Sequence, residues 1–178
     1  SVRIGVDIDG VLADFNTSFI ERMIEVTGKD LFPERPFDIP TWNYPEHFGY
    51  DHAETSRVWE TIKTDGCFWK NLSGYNNWLG ATFGAMGYLA DRIRIHGDDV
   101  YFITARVGPT AKEQSEIWLD RYDPSLRAFR KTVLISSHKG LVAMALDFDV
   151  YIDDRWENAV DVREKMSNTQ VFLMDRPW

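Results

Sequence analysis

Four places along this 178-residue chain set polar side chains where an apolar run stops. Asp7 and Asp9 close the run Arg3-Ile-Gly-Val-Asp-Ile-Asp9, with Gly10 directly after. Thr104 follows Val-Tyr-Phe-Ile, Lys139 comes just after Thr-Val-Leu-Ile and Ser136-Ser137, and Asp153-Asp154 follow Asp-Val-Tyr-Ile. Asp7 and Asp9 share a parity along a strand, so their side chains leave the same face. Burying such a pair unpartnered is costly, and close carboxylates repel unless a cation or proton intervenes. Several carboxylates, a hydroxyl and an ammonium together suit phosphoryl transfer. A carboxylate can attack phosphorus and carry the group as an aspartyl phosphate. A hard cation on oxygen ligands, for which Mg²⁺ is suited, neutralises the developing charge. The Lys ammonium, the Thr hydroxyl and backbone N–H groups around Gly10 and Thr104 would hold the other phosphoryl oxygens.

Something must bring these stretches together, and from about residue 98 the pattern alternates regularly. Residues 100–103 read as a strand. Residues 109–122 read as a helix, with Pro109 in its first turn and Ile117, Trp118 and Tyr122 facing inward. Then come a strand at 132–135, a helix at 139–146, a strand at 148–152, a helix at 157–166 and a last strand at 171–173. Strands alternating with helices imply βαβ crossovers and a parallel sheet, whose strand ends lie on the side where ligands bind in open α/β sheets. The fold class is α/β, a Rossmann-like parallel sheet with helices on both faces. Residues 16–75 behave differently. A helical pattern (Phe19, Ile20, Met23, Ile24) leads into the proline- and aromatic-rich stretch 32–45, then a second helix over 53–64, with no strand pattern. This stretch reads as a small helical cap inserted after the first strand, with a helix over 79–94 returning the chain. The expected division is a core of residues 1–15 and 76–178 and a cap of 16–75.

Taken singly, these residues have plainer readings. Asp-x-Asp also occurs in calcium loops and exposed turns, Thr104 could cap a helix, Lys139 could be a solvated helix residue, and Asp154 could pair with Arg155. The ordered set is what carries weight. A phospho-acceptor receiver module uses a similar inventory, but there the acceptor Asp ends a middle strand and an acidic pair ends the first. No acid ends the strand before Ser136, so that order does not fit.

The set Asp7-Ile-Asp-Gly-Val, Thr104, Lys139 and Asp153-Asp154, in that order and each after a strand, resembles the four signature motifs of the haloacid dehalogenase (HAD) superfamily of phosphatases. Within it, Asp7-Ile-Asp-Gly-Val-Leu-Ala-Asp-Phe15 resembles the start of the 5′(3′)-deoxyribonucleotidases, whose helical cap follows the first motif. The cap resemblance rests on Phe32-Pro33, Val58-Trp59-Glu60 and Phe68-Trp69. The resemblance implies a Mg²⁺-dependent phosphomonoesterase with Asp7 as nucleophile and metal ligand. Asp9 would be general acid and then base, with its main-chain carbonyl on the metal, and Asp153 or Asp154 would supply the remaining protein ligand. Gly10, Thr104, Ala105 and Lys139 would bind the phosphoryl group, and Phe15, Trp42 and Trp59 would line an aromatic pocket for the base. One departure stands out. The nucleotidases tend to carry Ser-Pro after the motif-two Thr, whereas this chain has Ala105-Arg106, a form closer to phosphatase domains that trim nucleic-acid ends. Arg106 is then a substrate-binding candidate that either binds phosphate or ion-pairs with an acid.

The partner expected is a nucleoside monophosphate, with another small phosphate ester or a polynucleotide 3′ end as the alternative. A net charge of −8 argues against a stable nucleic-acid partner. No apolar run approaches a membrane span and no basic leader pattern opens the chain, so the expected address is the cytoplasm; a homodimer is a possible assembly. One cysteine, Cys67, permits no internal disulfide and reads as a small packing residue. His47, His52, His96 and His138 lack paired ligand spacing and read as surface or capping residues. Trp69, Trp78 and Trp118 read as structural.

Overall fold

The computed structural model describes residues 1–75, 81–122 and 131–178. A five-stranded parallel sheet forms the centre. Its strands are β1 (Arg3–Asp7), β4 (Asp99–Thr104), β5 (Thr132–Ile135), β6 (Val150–Asp153) and β7 (Gln170–Leu173), in the order β5-β4-β1-β6-β7. The strand that carries Asp7 is therefore central, flanked in register by β4, which ends on Thr104, and β6, which ends on Asp153. Three of the four polar stretches meet for that reason alone. The fourth enters with α6 (Lys139–Leu146), the helix that follows β5.

The alternation of a strand decides which residues face which layer. On β4, Phe102 joins a core formed with Met86 and Leu89 of α4 (Ala81–His96) and with Trp118 and Leu119 of α5 (Ala111–Tyr122). Its neighbour Ile103 joins a second core with Ala143 of α6, Tyr151 of β6 and Val162 of α7 (Trp156–Lys165). Helices thus cover both faces. The neighbouring helices α6 and α7 are further tied by the Gly140 amide, which donates to Asp161 Oδ2 at 2.7 Å.

Between β1 and α4 the chain forms α1 (Phe15–Thr27), α2 (Tyr44–Phe48), α3 (His52–Thr64) and a 3₁₀ turn at Trp69–Asn71. Asp14 caps α1 by accepting from the Thr17 amide, and Asp51 and Glu54 form a reciprocal capping box on α3. The ends of this helical stretch are pinned side by side, because β2 (Ala13–Asp14) pairs antiparallel with β3 (Ser73–Gly74). Trp69 and Trp118 anchor it to the core: the Trp69 indole donates to Val107 O at 2.8 Å and that of Trp118 to Leu72 O at 2.7 Å.

Several boundaries differ from the sequence reading. The strand expected from residue 148 begins at Val150, since Asp147 takes a left-handed conformation and turns Phe148 under the sheet. The proline-rich stretch holds the short helix α2, and the supposedly strandless insert ends in β3. On α5, Ile117 is 41% exposed rather than inward; the buried face runs through Ala111, Gln114, Ser115, Trp118 and Leu119. Cys67 is exposed and not a packing residue. The four histidines are exposed. Trp78 lies outside the described residues.

Candidate active site

The loop after β1 folds back on itself. The amides of Val11, Leu12 and Ala13 all donate to Ile8 O, and Gly10, at φ +83°, permits that reversal. A Cβ on Gly10 would sit 1.9 Å from Asp154 Oδ2, so the first and fourth polar stretches touch here through a bare backbone.

Asp7 is buried at the end of β1 and accepts a hydrogen bond from Lys139 Nζ at 2.8 Å. The same ammonium donates to Ile103 O at 3.1 Å, which aims it along the end of β4. Burial holds the Asp7 carboxyl well above the usual carboxylate range; Lys139 opposes that, while Asp153 and Asp154 add to it. One oxygen from each of Asp7, Asp153 and Asp154 lies within 4.8 Å of the others.

The adjacent acids of β6 and its loop are not equivalent. Both oxygens of Asp153 are engaged: Oδ1 accepts from the Arg155 amide at 2.8 Å, and Oδ2 accepts from the Tyr151 hydroxyl and from Asn158 Nδ2 at 3.0 Å. Asp154 Oδ2 accepts from the Trp178 indole at 2.9 Å, but its buried Oδ1 has no partner among the described residues. Burial pushes the Asp154 carboxyl up to about 7, the Trp178 bond opposes this and Asp153 reinforces it. Three converging carboxylates and an orphaned buried oxygen form an all-oxygen donor set, which fits a hard divalent cation such as Mg²⁺. Asp154 offers the free atom, and Asp153 does not. Asp154 does not pair with Arg155, whose guanidinium instead stands 4.8 Å from the Trp42 ring centroid.

Asp9 points elsewhere. It accepts from Thr104 Oγ1 at 3.2 Å and from Arg106 Nε and Nη2, the shortest contact being 2.9 Å. Of the two readings of Arg106, the structure therefore has the ion pair with an acid. Ala105 lines the same cavity between these residues.

Phe15, Trp42 and Trp59 all reach this cavity, which measures about 170 Å³ and is also lined by Asp7, Asp9, Thr104 and Lys139. A larger cavity of about 590 Å³ shares those three aromatic residues and continues past Asn16, Tyr44 and His52. Phe15 lies nearly parallel to both Trp59 and Trp69, at centroid distances of 5.7 Å to each. Sequence reasoning missed the Arg176–Trp178 segment. Arg176 Nε donates to Gly10 O at 2.9 Å and its guanidinium stands 3.9 Å from the Tyr75 ring centroid, while Trp178 packs edge-on against Trp42. It also missed Tyr151, Asn158 and Ser115. No local pattern marks any of them.

A parallel sheet whose strand ends converge on Asp7, Thr104, Lys139 and Asp153-Asp154, with helices inserted after the first strand, defines a HAD-like phosphohydrolase. The chain belongs to a particular family of that class, described as 5′ nucleotidase, deoxy (pyrimidine), cytosolic type C protein, whose family model matches residues 1–178. The protein is accordingly a hydrolase of phosphoric monoesters, of 5′-nucleotidase type. No curated protein sequence matches the chain. Among solved structures, a putative beta-phosphoglucomutase from Thermotoga maritima shares the fold at 12% identity and a TM-score of 0.51, over 99% of this chain and 86% of that one. A hydrolase from Streptococcus pneumoniae TIGR4 is similar at 10% identity and a TM-score of 0.47, over 97% and 92% of the two chains. Among the described residues no helix is long and apolar enough to cross a membrane.

Proposed function

We propose that the protein is a Mg²⁺-dependent nucleotidase that hydrolyses (deoxy)nucleoside monophosphates through an aspartyl phosphate on Asp7. The observation that carries this is the position of Asp7, between the Lys139 ammonium and the Asp153-Asp154 pair at the mouth of an aromatic-lined cavity. Asp7, the Asp9 carbonyl and Asp154 would hold the metal, with Asp153 fixing the loop beside it. Bound there, Mg²⁺ would supply positive charge against the phosphoryl oxygens and suppress repulsion among the acids.

The chain's own groups account for each bond change. Asp7 attacks phosphorus as the ester P–O bond breaks, and the leaving oxygen takes a proton from Asp9. Asp9 then takes a proton from water as that oxygen attacks phosphorus and the Asp7–phosphorus bond breaks, which releases phosphate and restores both acids. Lys139 and the Ala105 amide orient the phosphoryl group with Thr104 beside them, whereas the Gly10 amide, expected to do the same, already donates to Ala13 O at 2.9 Å and serves the turn instead. Phe15, Trp42 and Trp59 take the flat face of a base, and residues 16–75 act as the cap over it.

Phosphate release from deoxynucleoside monophosphates, sugar phosphates and 3′-phosphorylated oligonucleotides tests this reading. Turnover should be highest on the mononucleotides and be lost in Asp7→Asn with the fold retained. Equal inactivity on every nucleotide, or near-parental activity of Asp7→Asn, would overturn it.

A further inference from the structure

Each acid of the first motif has its own buried cation. Asp7 pairs with Lys139, whereas Asp9 pairs with Arg106. The Arg106 side chain has no exposed surface, and the Asp9 side chain retains 23% of its own. Nε and Nη2 of Arg106 grip the carboxylate side-on, at 3.1 and 2.9 Å for their shorter contacts. The remaining terminal nitrogen, Nη1, donates to Ser115 Oγ at 3.0 Å, and that hydroxyl in turn donates to Ala111 O within α5. The guanidinium carbon stands 5.1 Å from the Trp69 ring centroid and 5.9 Å from that of Trp118. An arginine that grips a substrate phosphate would present its fork to the cavity. This fork is spent on Asp9, and its other edge is bolted to α5.

We infer that Arg106 is a positioning residue, which fixes the plane and direction of the Asp9 carboxylate for both proton transfers and does not itself hold the phosphoryl group. A free aspartate rotates about two torsions. A bidentate guanidinium removes that freedom, because its planar donors match the carboxylate in only a narrow range of orientations. Thr104 Oγ1 adds a third contact to Asp9 Oδ2 from the end of β4. Proton transfer in a short-lived transition state depends steeply on such alignment. Lysine keeps the charge yet cannot reproduce the side-on fork. The inference rests on the reading of Asp9 as the group that moves the proton.

The test uses the full-length protein at saturating Mg²⁺ and compares Arg106→Lys, Arg106→Ala and Asp9→Asn. On a deoxynucleoside monophosphate, both Arg106 variants should lose kcat by about a hundredfold or more, with KM within about threefold of the parent. With p-nitrophenyl phosphate, the leaving phenolate needs no proton. Asp7 still displaces it, but water attack on the aspartyl phosphate waits for Asp9. The variants should therefore release a rapid burst of nitrophenolate stoichiometric with enzyme, then turn over slowly. Added guanidinium should restore activity to Arg106→Ala and not to Arg106→Lys. A raised KM with kcat kept would make Arg106 a phosphate ligand and overturn the inference. So would a loss without a burst, or one that tracks unfolding of the Lys variant. An inactive Asp9→Asn beside fully active Arg106 variants overturns this inference alone, whereas an active Asp9→Asn removes the reading of Asp9 beneath it.

Discussion

The Trp178 indole N–H donates to Asp154 Oδ2 at 2.9 Å, across 24 residues of sequence and at the oxygen that a side chain on Gly10 would strike. One carboxylate thus has an oxygen fixed by a neutral donor and an oxygen left for a cation. The donor comes from the segment that also grips the Gly10 carbonyl through Arg176. Asp154, the acid proposed to face the metal, is held between the first loop and the 174–178 segment.

Trp178→Phe keeps a ring against Trp42 and removes only the N–H. That bond opposes the burial that raises the Asp154 pKa, so its loss should raise the pKa further. A proton and Mg²⁺ compete for the same carboxylate. The half-saturating Mg²⁺ concentration for activity should therefore rise by about threefold to tenfold near pH 6.5 and change little above pH 8.5. A Mg²⁺ titration at the two pH values checks this; an equal shift at both would mean that the N–H acts on geometry alone.

The folded-state pKa of Asp154, about 7 against an ordinary value of 3.8, also fixes how the metal-free protein responds to pH. The folded state holds that proton more tightly than the unfolded chain. Its contribution to stability is therefore fully present below about pH 4 and is lost as pH rises towards 7. Asp7 is displaced in the same direction. At about 1.4 kcal/mol per pH unit per group, Asp154 alone gives a loss on the order of 4 kcal/mol over that whole window, and on the order of 3 kcal/mol from pH 5 upward. Thermal midpoints in a chelator should fall from pH 5 to pH 8 and recover with excess Mg²⁺, because the ion binds the folded, ionised cluster. A midpoint that rises over that range without metal would contradict the electrostatic account of the site.

How much of this was legible in the sequence depended on range. The strand at 132–135 and the helix at 139–146 are found as expected, since short β-branched runs and a helical repeat announce themselves locally. Asp7, Thr104, Lys139 and Asp153 come together because parallel strands share one end, a rule that needs only the strand assignments. The grip of Arg176 on the first loop, across more than 160 residues, and that of Trp178 on Asp154 had no such signal, since neither contact follows from a strand or helix pattern. Ile117 was placed wrongly because helical periodicity fixes a stripe only to within a neighbouring position, and the tie from Trp118 to Leu72 decided the rotation. Phe148 left its strand because Gly5 provides a gap on β1: a Cβ there would lie 2.3 Å from the Phe148 ring. Five-residue α2 and two-residue β2 and β3 are too short for any periodicity to register.

Gly10→Ala should be more damaging than a methyl group suggests. The residue sits at φ +83°, which alanine adopts only with strain, and the new Cβ would overlap Asp154 Oδ2. Asp154 must move, taking the metal-facing oxygen with it. Activity should fall by about tenfold or more at limiting Mg²⁺, and stability by about 1 to 3 kcal/mol. Urea unfolding and a Mg²⁺ titration on the same sample separate the strain from the displaced ligand. Unchanged Mg²⁺ dependence would show that the loop, and not Asp154, absorbs the clash.

Trp59→Ala separates base recognition from chemistry. Trp59 stacks on Phe15 and leans on Phe19, and together with Trp42 and Phe15 it faces both cavities. It makes no polar contact with Asp7, Asp9 or Lys139, so truncation removes stacking surface and leaves the phosphoryl machinery in place. Stacking a base on an aromatic side chain contributes about 1 to 3 kcal/mol, which corresponds to about a fivefold to hundredfold rise in KM for a deoxynucleoside monophosphate. On p-nitrophenyl phosphate, whose ring needs no such platform, kcat/KM should stay within about threefold of the parent. Parallel losses on both substrates would place Trp59 in the support of Phe15 and the loop after β1, and the base would then have to be held by Trp42 and the walls of the larger cavity.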